Sequence, residues 1–146
     1  MNDNADGAVH WPAYSYVPGF NQRHSEDAFD SVKAGISAAM SVDELAECSA
    51  FQHGLLYLNG GYYWEAHEVF EPVWISLPAD SDEKRFVQAL IQVANACLKH
   101  RMQRPNASLR LCDIAKHLLA GVEAKEMLGV QKASVLAIIV DLEQKL

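Results

Sequence analysis

Apolar residues recur at intervals of three and four positions from Ser25 to the end of the chain, and this spacing limits the possible folds more than any other feature of the sequence. Such intervals place side chains on one face of an α-helix, where they can be buried together. No segment shows the sustained alternation of apolar and polar residues that is typical of β-strands. The sequence therefore predicts an all-α fold, a compact bundle of five to six helices.

Start and stop signals divide this pattern into predicted helices. The segment Ser41-Val42-Asp43-Glu44 has the form of a capping box, which begins a helix expected to run to Leu58. Pro105 is typical of a first helical turn and Gly121 of a helix end, while Gly129 precedes the last apolar segment. The predicted helices span roughly residues 25–36, 41–58, 62–76, 80–103 and 105–121, and the part of the chain that follows residue 129.

Residues 1–24 differ in pattern from the rest of the chain. They lack helical periodicity and contain Pro12 and Pro18, which fix φ and restrict the preceding residue, so we expect extended or turning backbone. Disordered tails are usually poor in aromatic residues. We therefore predict an extended N-terminal arm, residues 1–24, and a single helical-bundle domain, residues 25–146. The alternative is a loose terminus. The aromatic residues expected to hold the arm are Trp11, Tyr14, Tyr16 and Phe20.

The composition excludes several classes of function. The chain has 146 residues, which suits one domain, and its 12 Lys and Arg against 19 Asp and Glu give a formal charge of −7. A protein that binds nucleic acid through phosphate contacts, or a membrane through a polybasic surface, needs a basic face. No run of about 18 apolar residues is present to span a bilayer. We therefore expect the protein to bind neither nucleic acid nor a membrane, and its partner is unknown from the sequence.

The cysteines and the N-terminal sequence predict a cytoplasmic location. Cys48, Cys97 and Cys112 are far apart and form no C-x-x-C pair, a pattern typical of reduced thiols rather than of disulfides or a zinc site. Residues 1–16 contain neither the basic nor the apolar segment of a secretory signal. A homodimer is a further expectation if the bundle leaves an apolar helix face uncovered.

The segment that begins at Asn59 and ends at Trp74 carries the most informative pattern. Within it, Glu65, His67, Glu68 and Glu71 lie among several aromatic residues. On a helix the carboxylates are three positions apart, where like charges repel by about 0.2–0.5 kcal/mol per pair. Because stability alone would not favour this arrangement, the pattern predicts a positive group or a shared proton beside it.

The next predicted helix carries an unusual polar stripe. Its middle contains only neutral amides, Gln88, Gln92 and Asn95, where a solvent-facing helix normally carries Glu and Lys. Amides suit a half-buried polar contact, because each can satisfy the hydrogen bonds of another group. We therefore expect the stripe to face the Glu-rich helix, with His100 partly buried near the helix end. The predicted polar cluster comprises Glu65, His67, Glu68, Glu71, Gln92, Asn95 and His100.

These motifs together resemble a known family. The pattern G-x-Y-x-E-A-H-E-x-x-E-x-x-W is followed by Leu90-Ile91-Gln92-Val93-Ala94 and by Asn106-Ala107. Over roughly residues 50–120 the chain resembles the bacterial and archaeal domain-of-unknown-function 309 family, whose E-A-H-E helix is the specific part of the match. The resemblance implies a compact all-α bundle. It does not imply any particular activity, because the family has no established one. The chain departs from the family pattern at Pro72, within the signature helix, and at Ala89, where the family typically has glycine.

Three functions are compatible with the predicted cluster. The first is a structural or interaction module in which buried Glu and His side chains lock the bundle together. The alternative is a metal-binding, hydrolase-like enzyme, because His67 and Glu71 at i, i+4 could chelate a divalent metal with Glu68. Acid–base catalysis without a metal is the third. No cofactor is expected for the first function, and a divalent metal is required for the second.

Overall fold

The computed structural model describes residues 8–146, and helices form most of this part of the chain. Their bounds are α1 Asp30–Lys33, α2 Val42–Glu47, α3 Ser49–Gly60, α4 Tyr63–Ser76, α5 Asp82–Arg101, α6 Pro105–Ala120 and α7 Lys132–Glu143. Two strands, β1 Glu126–Met127 and β2 Val130–Gln131, form a small antiparallel ribbon. The predicted all-α class is confirmed. Among the described residues, no helix has both the length and the apolar character needed to cross a membrane.

The central helices pack in chain order. α3 packs against α4, α4 against α5, and α5 against α6, while α7 contacts both α5 and α6. The core between α3 and α4 is aromatic, with Phe51 and Phe70 fully buried and their ring centroids 5.8 Å apart. Gly54 permits this close approach, because a Cβ at that position would lie 2.3 Å from the Phe70 ring.

Local sequence signals fix several helix ends. Ser41 and Glu44 form the predicted capping box at the start of α2, and the Ser81 hydroxyl accepts a hydrogen bond from the Lys84 backbone N–H at the start of α5. Gly61, with φ of +86°, ends α3 in the left-handed conformation that favours glycine. The helix α4 continues through Pro72 to its end.

The structure differs from the prediction in three places. The first predicted helix is reduced to the four residues of α1, because Ala34 is extended and Gly35 has φ of +93°. The predicted helix 41–58 is divided at Cys48, whose ψ of 156° interrupts it between α2 and α3. The β-ribbon was not expected; it turns at Leu128 and Gly129, which both have positive φ, as tight hairpins require. The break at Cys48 raises the number of helices among the described residues from the predicted six to seven, and the fold class is unchanged.

Candidate functional site

Glu65 is the buried centre of the candidate site. It lies in the first turn of α4, and its side chain is 0% exposed. Its Oε2 atom accepts a hydrogen bond from the Tyr16 backbone N–H at 2.7 Å and lies 2.6 Å from Nε2 of His24. A buried charge is tolerated when it is paired and hydrogen-bonded. Glu65 therefore binds the N-terminal segment, defined here as residues 8–29.

Aromatic rings enclose the Glu65–His24 pair. The His24 side chain is 8% exposed and stacks on Tyr14, with ring centroids 4.6 Å apart. Phe29 and Trp64 contact the imidazole from other directions, at centroid distances of 5.4 and 5.9 Å. Because these rings exclude water, the contact between Glu65 and His24 is electrostatically stronger than the same contact at the surface.

Tyr57 makes a second contact to the N-terminal segment. Its side chain is buried in α3, and its hydroxyl donates a hydrogen bond to the His10 carbonyl. Burial raises the pKa of Tyr57 far above its usual value, and the nearby negative charge of Glu65 raises it further. The hydroxyl is thus kept as a donor. The His10 backbone N–H in turn donates to Nε2 of His53 at 3.0 Å.

Glu68 contacts the same part of the chain from the next turn of α4. Its Oε2 atom lies 3.0 Å from Nζ of Lys33, the last residue of α1. Both side chains are only partly exposed, 29% for Lys33 and 25% for Glu68. Two of the three signature carboxylates therefore bind residues that precede α2.

The remaining signature residues form a separate, weaker pair. Nε2 of His67 lies 3.9 Å from Oε2 of Glu71, and the Glu71 side chain is 55% exposed. Within the described residues, Nδ1 of His67 is buried without a hydrogen-bond partner. No group of three or more His, Cys, Asp or Glu side chains in residues 8–146 is placed to hold a metal ion. The His67, Glu68 and Glu71 set expected for a metal is divided, since Glu68 pairs with Lys33.

In the described part of the chain, the α5 members of the predicted cluster are not joined to the α4 carboxylates by hydrogen bonds. Gln92, Asn95 and His100 are half-buried, and among the described residues none of them hydrogen-bonds to a carboxylate of α4. The partners of the carboxylates are instead the His24 imidazole and the Lys33 ammonium group. The sequence signal for such partners was the excess of carboxylates in α4, but nothing in it indicated which distant residue would supply the charge.

Comparison with known proteins agrees with the motif on α4. Residues 51–111 match the model of the family described as Domain of unknown function (DUF309), a span that contains the whole of α4 and α5. The chain has no match among curated proteins or solved structures. Glu65 and Glu68 lie inside the matched span, whereas Tyr16, His24 and Lys33 lie before it. Over residues 51–111, the chain is therefore similar to the DUF309 family that the motif on α4 indicated.

Proposed function

We propose that this helical protein is a structural or interaction module rather than an enzyme, and that its signature helix clamps the N-terminal segment to the bundle. The clamp is defined as Glu65 with its two partners, Tyr16 and His24, together with the ion pair of Glu68 and Lys33. The observation that carries the proposal is the complete burial of Glu65 with its Oε2 atom bound to two groups of the N-terminal segment.

The accessibility of the pair argues against acid–base catalysis. A general acid or base has to come within hydrogen-bond distance of the substrate proton. Glu65 is closed off from solvent, and His24 is almost completely covered by Tyr14, Phe29 and Trp64. A substrate would have to displace the N-terminal segment before it could reach either group.

The energetic value of the pair supports an architectural role. Leaving a buried polar group without its hydrogen-bond partner typically costs about 1–3 kcal/mol, and more when that group is charged. The whole folding free energy of a domain is about 5–15 kcal/mol. The free energy of the Glu65–His24 contact is thus large enough to decide whether the N-terminal segment stays bound to the bundle.

The clamp also organises the surface beside it. Tyr16 is preceded by Ser15, whose hydroxyl accepts a hydrogen bond from Nη1 of Arg101 at 3.2 Å. The same Nη1 atom donates to the Gly61 carbonyl, at the junction of α3 and α4. Arg101, at the end of α5, is therefore positioned by the clamped segment while it remains exposed.

The state of the thiols supports the cytoplasmic location that forms part of this proposal. Cys48, Cys97 and Cys112 are free. Burial raises the pKa of each thiol above its ordinary value. Protonated, buried thiols are poorly reactive, as expected of structural cysteines in a reducing compartment.

Limited trypsin digestion tests the clamp. Arg23 is exposed within the N-terminal segment and provides a cleavage site beside His24. We expect Glu65→Ala to increase cleavage at Arg23 by about tenfold or more, because the segment opens more often. Glu71→Ala, a matched carboxylate removal on the same helix, should cleave at the wild-type rate. Equal rates for the two variants would refute the proposed role of Glu65.

A further inference from the structure

A pocket of about 300 Å³ lies where the end of α5 meets α4 and α7. Its polar wall includes Tyr63, His100 and Arg101, and its apolar wall includes Ile138 and Leu142. Small-molecule sites combine an apolar surface with a few polar groups in this way, and this volume is at the lower end of their range. None of these residues belongs to the clamp.

Arg101 is a fixed guanidinium without an acidic partner within the described residues. Its central carbon lies 4.4 Å from the centroid of the Tyr63 ring, and its Nη1 atom donates to Ser15 and Gly61. These partners are neutral, so they orient the side chain without neutralising its charge. Among residues 8–146, neither Nε nor Nη2 of Arg101 has a hydrogen-bond partner, and a guanidinium edge of this kind matches a carboxylate.

Gly61 contributes to the position of Arg101. A Cβ at this residue would lie 2.8 Å from Nη2 of Arg101, and the φ of +86° is unfavourable for other residues. The glycine therefore serves both the turn that ends α3 and the close approach of the guanidinium.

The other charges of the pocket do not oppose an anion. Asp141 is the acidic lining residue, and its Oδ2 atom is paired with Nζ of Lys145 at 3.2 Å. Burial raises the pKa of Cys97 to about 11 and also raises that of Tyr63. Both groups are neutral at pH 7, so Arg101 leaves the pocket with a net positive charge on a chain whose formal charge is −7.

We infer that this pocket binds a small organic carboxylate, with its oxyanion on Arg101 and its hydrocarbon part against Ile138 and Leu142. The inference deepens the proposed function and rests on it in one respect, since the clamped segment supplies Ser15 to orient Arg101. A ligand with an anionic head and an apolar tail satisfies both walls, whereas an inorganic anion would leave the apolar wall unused.

Titration of the full chain with hexanoate, followed by amide chemical shifts in NMR spectra, tests the inference. We expect saturable shifts at Tyr63, Arg101 and Ile138. Hexan-1-ol has the same tail without the charge, and inorganic phosphate has the charge without the tail, so both should bind more weakly by about tenfold or more. No shift with hexanoate, or equal binding of either control compound, would overturn the inference.

Variants assign the binding to Arg101. Arg101→Gln should weaken hexanoate binding by about tenfold or more, because a charge-assisted hydrogen bond is lost. Arg101→Lys keeps the charge and should bind with intermediate affinity, which provides a test if the Gln variant folds poorly. Arg104→Gln removes a nearby exposed arginine outside the pocket and should bind as the wild type does. Unchanged binding in both Arg101 variants would contradict the inference.

The two proposals can fail independently. If the wild-type protein resists trypsin at Arg23 but binds no hexanoate, the proposed carboxylate site is contradicted and the clamp is supported. If Glu65→Ala leaves cleavage at Arg23 unchanged while Arg101→Gln abolishes hexanoate binding, the clamp is contradicted and the pocket is supported.

Discussion

The carboxylate of Glu65 and the imidazole of His24 are 2.6 Å apart although 41 positions separate them in the chain. Neither side chain is more than 8% exposed. The pair therefore joins the signature helix to a segment outside the matched family span. The least exposed carboxylate of α4 thus receives its hydrogen-bond partner from a distant part of the chain, as buried polar groups require.

We predict that His24→Ala destabilises the fold by about 3 kcal/mol, because the Glu65 side chain would stay buried without its hydrogen bond to the imidazole. His67→Ala is the matched control on α4, and its loss should stay within about 1 kcal/mol, because the His67–Glu71 contact is long and partly exposed. Urea unfolding of the two variants measures the difference. A larger loss for His67→Ala than for His24→Ala would contradict this account, because His67 would then contribute more to stability than His24.

The ion pair of Lys33 and Glu68 should contribute less than the buried pair. Both side chains are about a quarter exposed, so solvent and salt screen their attraction. We predict a coupling free energy of about 0.2–1 kcal/mol from a double-mutant cycle with Lys33→Gln and Glu68→Gln. The coupling should fall when the cycle is repeated at 1 M salt. A coupling that is zero at low salt would remove this pair from the clamp.

Gly54→Ala should destabilise the packing of α3 on α4. The added Cβ would lie 2.3 Å from the ring of Phe70, which is itself fully buried. Overpacking of this kind typically costs about 1–3 kcal/mol. The double variant Gly54→Ala/Phe70→Leu should recover part of the loss, because the smaller side chain makes room for the methyl group. Thermal unfolding of both variants measures this, and a fully stable Gly54→Ala would contradict the close helix contact.

Ionisation of Cys97 should lower the free energy of unfolding at alkaline pH. Burial is the main cause that raises its pKa to about 11, and the charge of Cys112 adds to it, against the opposing effects of Tyr63, Arg101 and Lys145. Between the ordinary thiol pKa of about 9 and this value, the unfolded chain loses the proton before the folded chain does. The stability from the protonated thiol is therefore fully present below pH 9 and is lost as pH rises through about 11.

A comparison of Cys97→Ala with wild type measures that contribution. The variant should lose less stability than the wild type between pH 9 and pH 11, with a difference of up to about 3 kcal/mol. Cys48→Ala is the control, because Cys48 is only half-buried and should leave the pH dependence closer to that of the wild type. If wild type and Cys97→Ala lose stability equally with pH, the raised pKa of Cys97 is contradicted.

The fold was predictable where the determining signals are local. Ser41 and Glu44 specify a capping box within four residues, and the helical spacing of apolar residues gave the main helices. The break at Cys48 could not be read in this way, because its extended backbone has no proline or glycine to mark it. The turn at Leu128 requires positive φ from a residue that rarely adopts it, so it had no signal either.

The carboxylates of the candidate site were predictable from the sequence, but their partners were not. The excess of carboxylates around Glu65 indicated that a positive partner was required, and this followed from helix geometry alone. The partner itself depends on how the chain folds back over α4, which brings His24 and Lys33 to Glu65 and Glu68. Neither residue carries a local feature that distinguishes it from other His and Lys residues of the chain.

Hydrogen exchange at the Tyr16 amide tests the clamp most directly, because this N–H donates to Oε2 of Glu65. In the wild type we predict strong protection of the Tyr16 amide, and in Glu65→Ala an exchange rate close to that of an unstructured peptide. Glu71→Ala should retain the wild-type protection. A Tyr16 amide that exchanges without protection in the wild type would contradict the account, since the N-terminal segment would then not be held by the signature helix.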